Sequence, residues 1–165
     1  MRRRHFLKRG VTLGVSLLAP WAVADPRAVD FGVDVCPFCN MPVVDGRFAA
    51  QAITEGGRTL TYDAIECLLD HEAGSGPPPP VFTERWVADR LGSSMNEVSW
   101  LDAEEDAVLL FHPRLRTPMG GGLAAFLTVE DAEAFASRNL LEGAETLTWV
   151  EASERALERP WVPAW

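Results

Sequence analysis

Four sulfur residues carry the chemistry of this sequence. Cys36-Pro37-Phe38-Cys39-Asn40-Met41 sets two thiols and a thioether in one short run, and Met119 follows far downstream in Thr117-Pro118-Met119-Gly120-Gly121-Gly122. Met41 precedes Pro42, a loop setting. A methionine beside three glycines has no periodic apolar face to pack on, and the glycines let its backbone approach another segment closely. Thiolate and thioether ligands are soft and together favour Cu(I). Thioethers carry no proton and so ligate at any pH. A mixed set of this kind holds copper firmly and still passes it on by ligand exchange. Cys36, Cys39, Met41 and Met119 are therefore the candidate metal ligands, with Cu(I) as the metal.

Other readings of Cys36 and Cys39 remain open on the residues alone. A disulfide would need only the pair itself. A structural zinc wants a tetrahedral set, usually from two such pairs; only Cys67 is left, and it falls on an expected helix. A dithiol oxidoreductase is the third reading, because Cys36-Pro37-Phe38-Cys39 is close to a glutaredoxin-type C-P-Y-C and Thr117-Pro118 could stand in for that fold's cis-proline. Such motifs put the first cysteine at the N-terminus of a long helix, whose dipole lowers its pKa. Pro42, Val43, Val44 and Gly46 do not make that helix. Copper alone accounts for both methionines. Neither His71 nor His112 has metal-ligand spacing. His71 reads as a surface residue near a helix end, whereas the loop of His112 also carries Met119.

The elements that must position these residues form two similar halves. Arg47 to Thr54 reads as a strand, Glu55-Gly56-Gly57-Arg58 as a turn and Thr59 to Tyr62 as a second strand. Asp63 is a helix N-cap in this reading, with Glu66 three residues on and Ile65, Leu68 and Leu69 at helical spacing. Gly74 to Pro80 ends the helix in a stiff exposed loop, and Val81 to Val87 is the next strand. The order then recurs: a strand at Asp106 to Phe111, a loop over His112 to Gly122, and a strand at Leu123 to Leu127. Thr128 caps a helix with Asp131 three residues on and an apolar stripe of Val129, Ala132, Phe135 and Ala136. Gly143 closes that element, and a last strand covers Thr146 to Val150. Ala152 to Arg159 is a terminal helix stopped by Pro160, and Trp161 and Trp165 in the tail pack on the body. The expectation is an α+β protein of two small related ββαβ modules, 25–95 and 96–165.

Charge and composition bound the setting. The chain has 165 residues, 47% hydrophobic and 24% charged, which is ordinary for a globular protein. Its first 24 residues hold Arg2, Arg3, Arg4, Lys8 and Arg9 and no acid. Arg3-Arg4-His5-Phe6-Leu7-Lys8, an apolar stretch over Val11 to Ala19, and Ala22-Val23-Ala24 make a signal peptide with cleavage expected after Ala24. The paired arginines with F-L-K resemble a twin-arginine export signal, with an ordinary Sec signal as the other reading. No cysteine lies at the cleavage site, so no lipid anchor is expected, and the mature chain should be free in the periplasm. The remainder sets ten arginines against 24 acids, a formal charge of −14. Such a surface is unsuited to nucleic acid.

C-P-F-C-N-M at Cys36 to Met41, followed by P-M-G-G-G-L-A-A-F at Pro118 to Phe126, resembles the NosL family, accessory proteins of nitrous oxide reductase assembly. The resemblance runs from about Val33 to Val150. It takes in Tyr62-Asp63-Ala64-Ile65-Glu66-Cys67, Trp100-Leu101-Asp102-Ala103 and Asp131-Ala132-Glu133-Ala134-Phe135. It implies Cu(I) binding by a carrier that is not an enzyme, and two small ββαβ modules. The family's C-x-M cysteine and methionine fall on Cys39 and Met41, and its M-G methionine on Met119. The implied partners are copper-enzyme assembly machinery or an apo copper enzyme of denitrification. The chain departs from the pattern in lacking a lipid-bearing cysteine and in carrying Asn40 where glycine is usual. A periplasmic thiol-disulfide oxidoreductase acting through Cys36 and Cys39 is the alternative.

Overall fold

The structure, a computed structural model, describes residues 25–163. The export signal read over residues 1–24, and Trp165, lie outside the described residues. The elements run β1 (Ala50–Thr54), β2 (Thr59–Tyr62), α1 (Ile65–Glu72), β3 (Phe82–Ala88), β4 (Trp100–Asp102), β5 (Val108–Phe111), β6 (Leu123–Phe126), α2 (Val129–Arg138), β7 (Glu145–Leu147) and α3 (Trp149–Glu158). The α+β class holds, and the order strand, strand, helix, strand occurs twice.

Two antiparallel sheets result, β2-β1-β3-β4 and β6-β5-β7. In the first, Ala50 pairs with Tyr62 on one side and Val87 on the other. Trp100–Asp102 had no strand assigned from sequence; it pairs with β3, Trp86 facing Asp102. In the second sheet, Leu109 sits between Ala125 and Leu147. A parallel bridge from Asp89 to Ala125 joins the two sheets, with the Arg90 amide donating to the Ala125 carbonyl at 2.8 Å.

Side-chain alternation divides the second sheet between two cores. Leu109, Leu123 and Ala125 face the larger core with Tyr62, Ile65, Leu68 and Val87. Their neighbours Leu110, Ala124 and Phe126 face a smaller core under α2, with Phe48, Ala132 and Phe135. A period of two in the strands produces this split. Val129, expected on the apolar stripe of α2, is exposed.

α1 is buried nearly all round, from Ile65 to His71. Ala50 and Ala52 of β1 lie in its core, as do Trp149, Ala152 and Ala156 of α3. A Leu68→Ala change here would cost about 2–5 kcal/mol. α3 starts earlier than expected. Trp149 and Val150 belong to it and not to the preceding strand, because Thr148 and Glu151 form a capping box: the Thr148 hydroxyl accepts from the Glu151 amide, and the Glu151 carboxylate accepts from the Thr148 amide.

Candidate metal centre

The Cys36–Met41 run is a tight loop closed by backbone. Val35 and Pro42 form an isolated bridge, the Cys36 amide donates to the Met41 carbonyl at 2.9 Å, and the Asn40 amide donates to the Cys36 carbonyl at 2.9 Å. No helix follows Cys36. Asn40 adopts φ +61°, the left-handed conformation that glycine takes freely and asparagine tolerates. The departure at Asn40 from the family's usual glycine therefore keeps the backbone the turn requires.

Cys67 meets this loop from the first turn of α1. One ligand atom from each of Cys36, Cys39, Asp63 and Cys67 lies within 4.8 Å of the others, a set able to hold a metal ion. All three cysteines are free thiols. The sequence reading set Cys67 aside on its helix and gave Asp63 to the helix cap. Both assignments are corrected. α1 begins after Ala64 with no side-chain cap, and Asp63 Oδ1 instead lies 3.3 Å from the sulfurs of both Cys39 and Cys67.

The cluster's electrostatics separate one thiol from the other two. The Cys36 and Cys67 thiols point at Cys39, and the Met41 amide adds to them, so the Cys39 pKa falls to about 4. Cys36 and Cys67 move up, each chiefly through donating to a neighbouring sulfur and then through burial. Burial, and then the charge of Cys36, push Asp63 up to about 6. Against that rise, the Asp63 carboxyl accepts from Cys67 and Cys39, which favours its ionised form. Cys39 is also the only one of the three cysteines that is not fully buried.

Met119 reaches the same place from the second half. Its loop is fastened by Glu66, fully buried on α1. Glu66 Oε1 accepts from Thr117 Oγ1 at 2.6 Å and from the Leu123 amide at 3.1 Å. Gly121 lies so close to the Glu66 side chain that a Cβ there would overlap it. Burial raises the Glu66 pKa, and its Oε2 is buried with no hydrogen-bond partner among the described residues.

Cys39, Met41 and Met119 line one cavity of ≈ 500 Å³ together with Phe38, Gly76 and Val162. Met41 is half exposed at the rim, and Met119 is buried. Cys36 is fully buried beside Cys39 and is not part of that lining. Val162 is held by Asp70, whose Oδ1 accepts from the Trp161 amide at 2.9 Å and Oδ2 from the Val162 amide at 2.8 Å. Trp161 packs on the body as expected, edge-on to Phe111 and donating Nε1–H to the Ala152 carbonyl.

The histidines have other work. His71 is buried and not on the surface; its Nδ1 shares a 2.9 Å hydrogen bond with the Tyr62 hydroxyl. His112 is engaged at both nitrogens: Nδ1 accepts from the Arg114 amide at 3.0 Å, which leaves Nε2–H to donate to the Glu142 carbonyl at 3.0 Å.

The residues missed from sequence are Cys67 and three acids. Asp63, Glu66 and Asp70 are all buried. The signal for Glu66 and Asp70 lay in Ile65-Glu66-Cys67-Leu68-Leu69-Asp70, where acids fall among the apolar residues of the helix, whereas Asp63 stands ahead of that run. A buried carboxylate needs a polar partner, and here the partners are sulfurs, a loop and the tail. Among the described residues no helix is long and apolar enough to cross a membrane.

No family model and no curated protein matches this sequence. Among solved structures, the chain is similar to the crystal structure of the copper chaperone NosL from Shewanella denitrificans, at 17% identity and a TM-score of 0.63, over 77% of this chain and 94% of that one. At that identity the likeness speaks for the fold, and the chain has the NosL fold that its paired sulfur motifs imply.

Proposed function

We propose that this chain is an exported Cu(I) carrier and not an enzyme. It would take up copper in the periplasm and deliver it to the assembly machinery of a copper enzyme or to the apo enzyme. Nitrous oxide reductase is the recipient that the NosL resemblance favours. One observation carries the reading: the partly accessible Cys39, whose pKa its neighbours lower, lines the same open cavity as Met41 and Met119. One thiolate with two thioethers makes a soft site of single negative charge, matched to a monovalent soft ion. The open rim at Met41 gives an acceptor's ligands a way in, so copper can leave by exchange. Competition against a Cu(I) chelator tests this. The reduced chain should bind Cu(I) far more tightly than Zn(II) at the cavity, and equal or stronger zinc binding overturns the reading.

The oxidoreductase reading keeps one supporting observation, a low-pKa Cys39 beside the free thiol of Cys36. Against it, the activated cysteine is the second of the pair and stands in a turn. Insulin reduction separates the two: activity in the wild type that survives Met119→Leu favours the redox enzyme, and no activity favours the carrier.

A further inference from the structure

Cys39 has two faces. Outward it meets the cavity of Met41 and Met119. Inward it meets Cys36 and Cys67, both fully buried and neither part of the cavity lining. We propose that the chain holds a second Cu(I) position beneath the first, built from Cys36 and Cys67 and sharing the Cys39 sulfur with the cavity. The inference rests on the copper reading above and adds to it a two-copper centre bridged by one thiolate.

Three observations support the inner position. The three sulfurs and an Asp63 oxygen lie within 4.8 Å of one another. An ion with metal–sulfur bonds of about 2.3 Å needs its ligands about 4 Å apart, so the set closes on one ion with small side-chain movements. Cys36 and Cys67 are both fully buried beside Cys39, so an ion held among them is shielded from water. The sulfurs are also more numerous than one Cu(I) at the rim would use. Loading the inner position forms copper–sulfur bonds and breaks two S–H bonds. The protons of Cys36 and Cys67 pass to water, and no electron moves, because copper enters and stays as Cu(I). Thiols must lose their protons to ligate, so binding releases them.

Titration of the reduced full chain with Cu(I) under a competing chelator, with copper X-ray absorption at each step, tests the proposal. Two equivalents are expected, with a short copper–copper scattering path present at two equivalents and absent at one. Cys36→Ser and Cys67→Ser should each hold a single equivalent and lose that path, while Met119→Leu should weaken only the outer ion. The wild-type stoichiometry and scattering path decide the matter even if a serine variant does not fold. Saturation at one equivalent overturns the inner position and leaves the carrier reading standing. So does a second equivalent that survives both serine changes, or an inner set that takes Zn(II) in preference to Cu(I). A chain that binds no Cu(I) overturns both.

Discussion

The two halves share an element order but start their helices differently. In the second half Thr128 caps α2: its hydroxyl accepts from the Asp131 amide at 3.1 Å. In the first half Ala64 holds the cap position, and Asp63, one residue ahead of it, accepts from Cys39 and Cys67 instead. The uncapped α1 is held by burial on all sides instead of by local hydrogen bonds. The second half obeys the local rules of helix stability, and the first breaks one where the chemistry is. Such violations collect at functional sites.

That contrast can be broken by substitution. The largest effect belongs to Cys39→Ser, which removes the sulfur whose pKa the neighbouring thiols lower to about 4. Saturating Cu(I), at about 1,000 times its Kd, should stabilise the wild type by about 4 kcal/mol, and the variant should lose that gain in thermal unfolding with and without copper. Glu66→Ala comes next. It strands the Thr117 hydroxyl and the Leu123 amide, at about 1–3 kcal/mol for each group left unsatisfied. It should also weaken Cu(I) binding, because the Met119 loop loses its fastening; chelator competition with unchanged affinity would mean that Met119 is no ligand. Thr128→Ala should cost the apo protein about 1 kcal/mol and leave copper affinity as it was, since α2 touches no part of the site. Any loss of copper from that variant would make the two halves less distinct than they look.

The smallest effect is in pH. The folded Asp63 pKa is raised to about 6 by burial, so the native state binds its proton more tightly than the unfolded chain does. Its contribution to stability is fully present below the ordinary carboxylate range and is lost as pH rises through about 6. Asp63→Asn should therefore gain on the wild type between about pH 4 and pH 6 in chemical denaturation of the apo protein. A difference curve that is flat or falling across that window would mean that the carboxyl is not held protonated among the sulfurs.

The sequence made Cys36, Cys39, Met41 and Met119 legible and hid Cys67 and Asp63. Met41 and Met119 stood out because loops give a methionine no apolar face, and the cavity does bring them to Cys39. Cys67 was hidden because helical periodicity explains a small apolar residue well enough by itself. Asp63 was hidden for a subtler reason: an acid just before a helix is the usual mark of a cap, and only the approach of a distant loop gave it sulfur partners. Most strands and both ββαβ units were visible in alternation and turn residues. β4 was not, because a strand of three residues carries no period of its own and forms only against the edge of β3. The first turn of α3 was mistaken for strand because Trp149 and Val150 suit either state, and Thr148 with Glu151 decided it.

The hold of Asp70 on the tail gives the cavity a built-in reporter. Val162 is at once a wall of the cavity and a donor to Asp70. Peeling back Trp161 and Val162 would break the hydrogen bonds from their amides to Asp70 and open the cavity wall at Val162. Hydrogen exchange at those two amides therefore counts the openings of the cavity directly, and its slowing on addition of copper would time the release of the ion without any label on the metal.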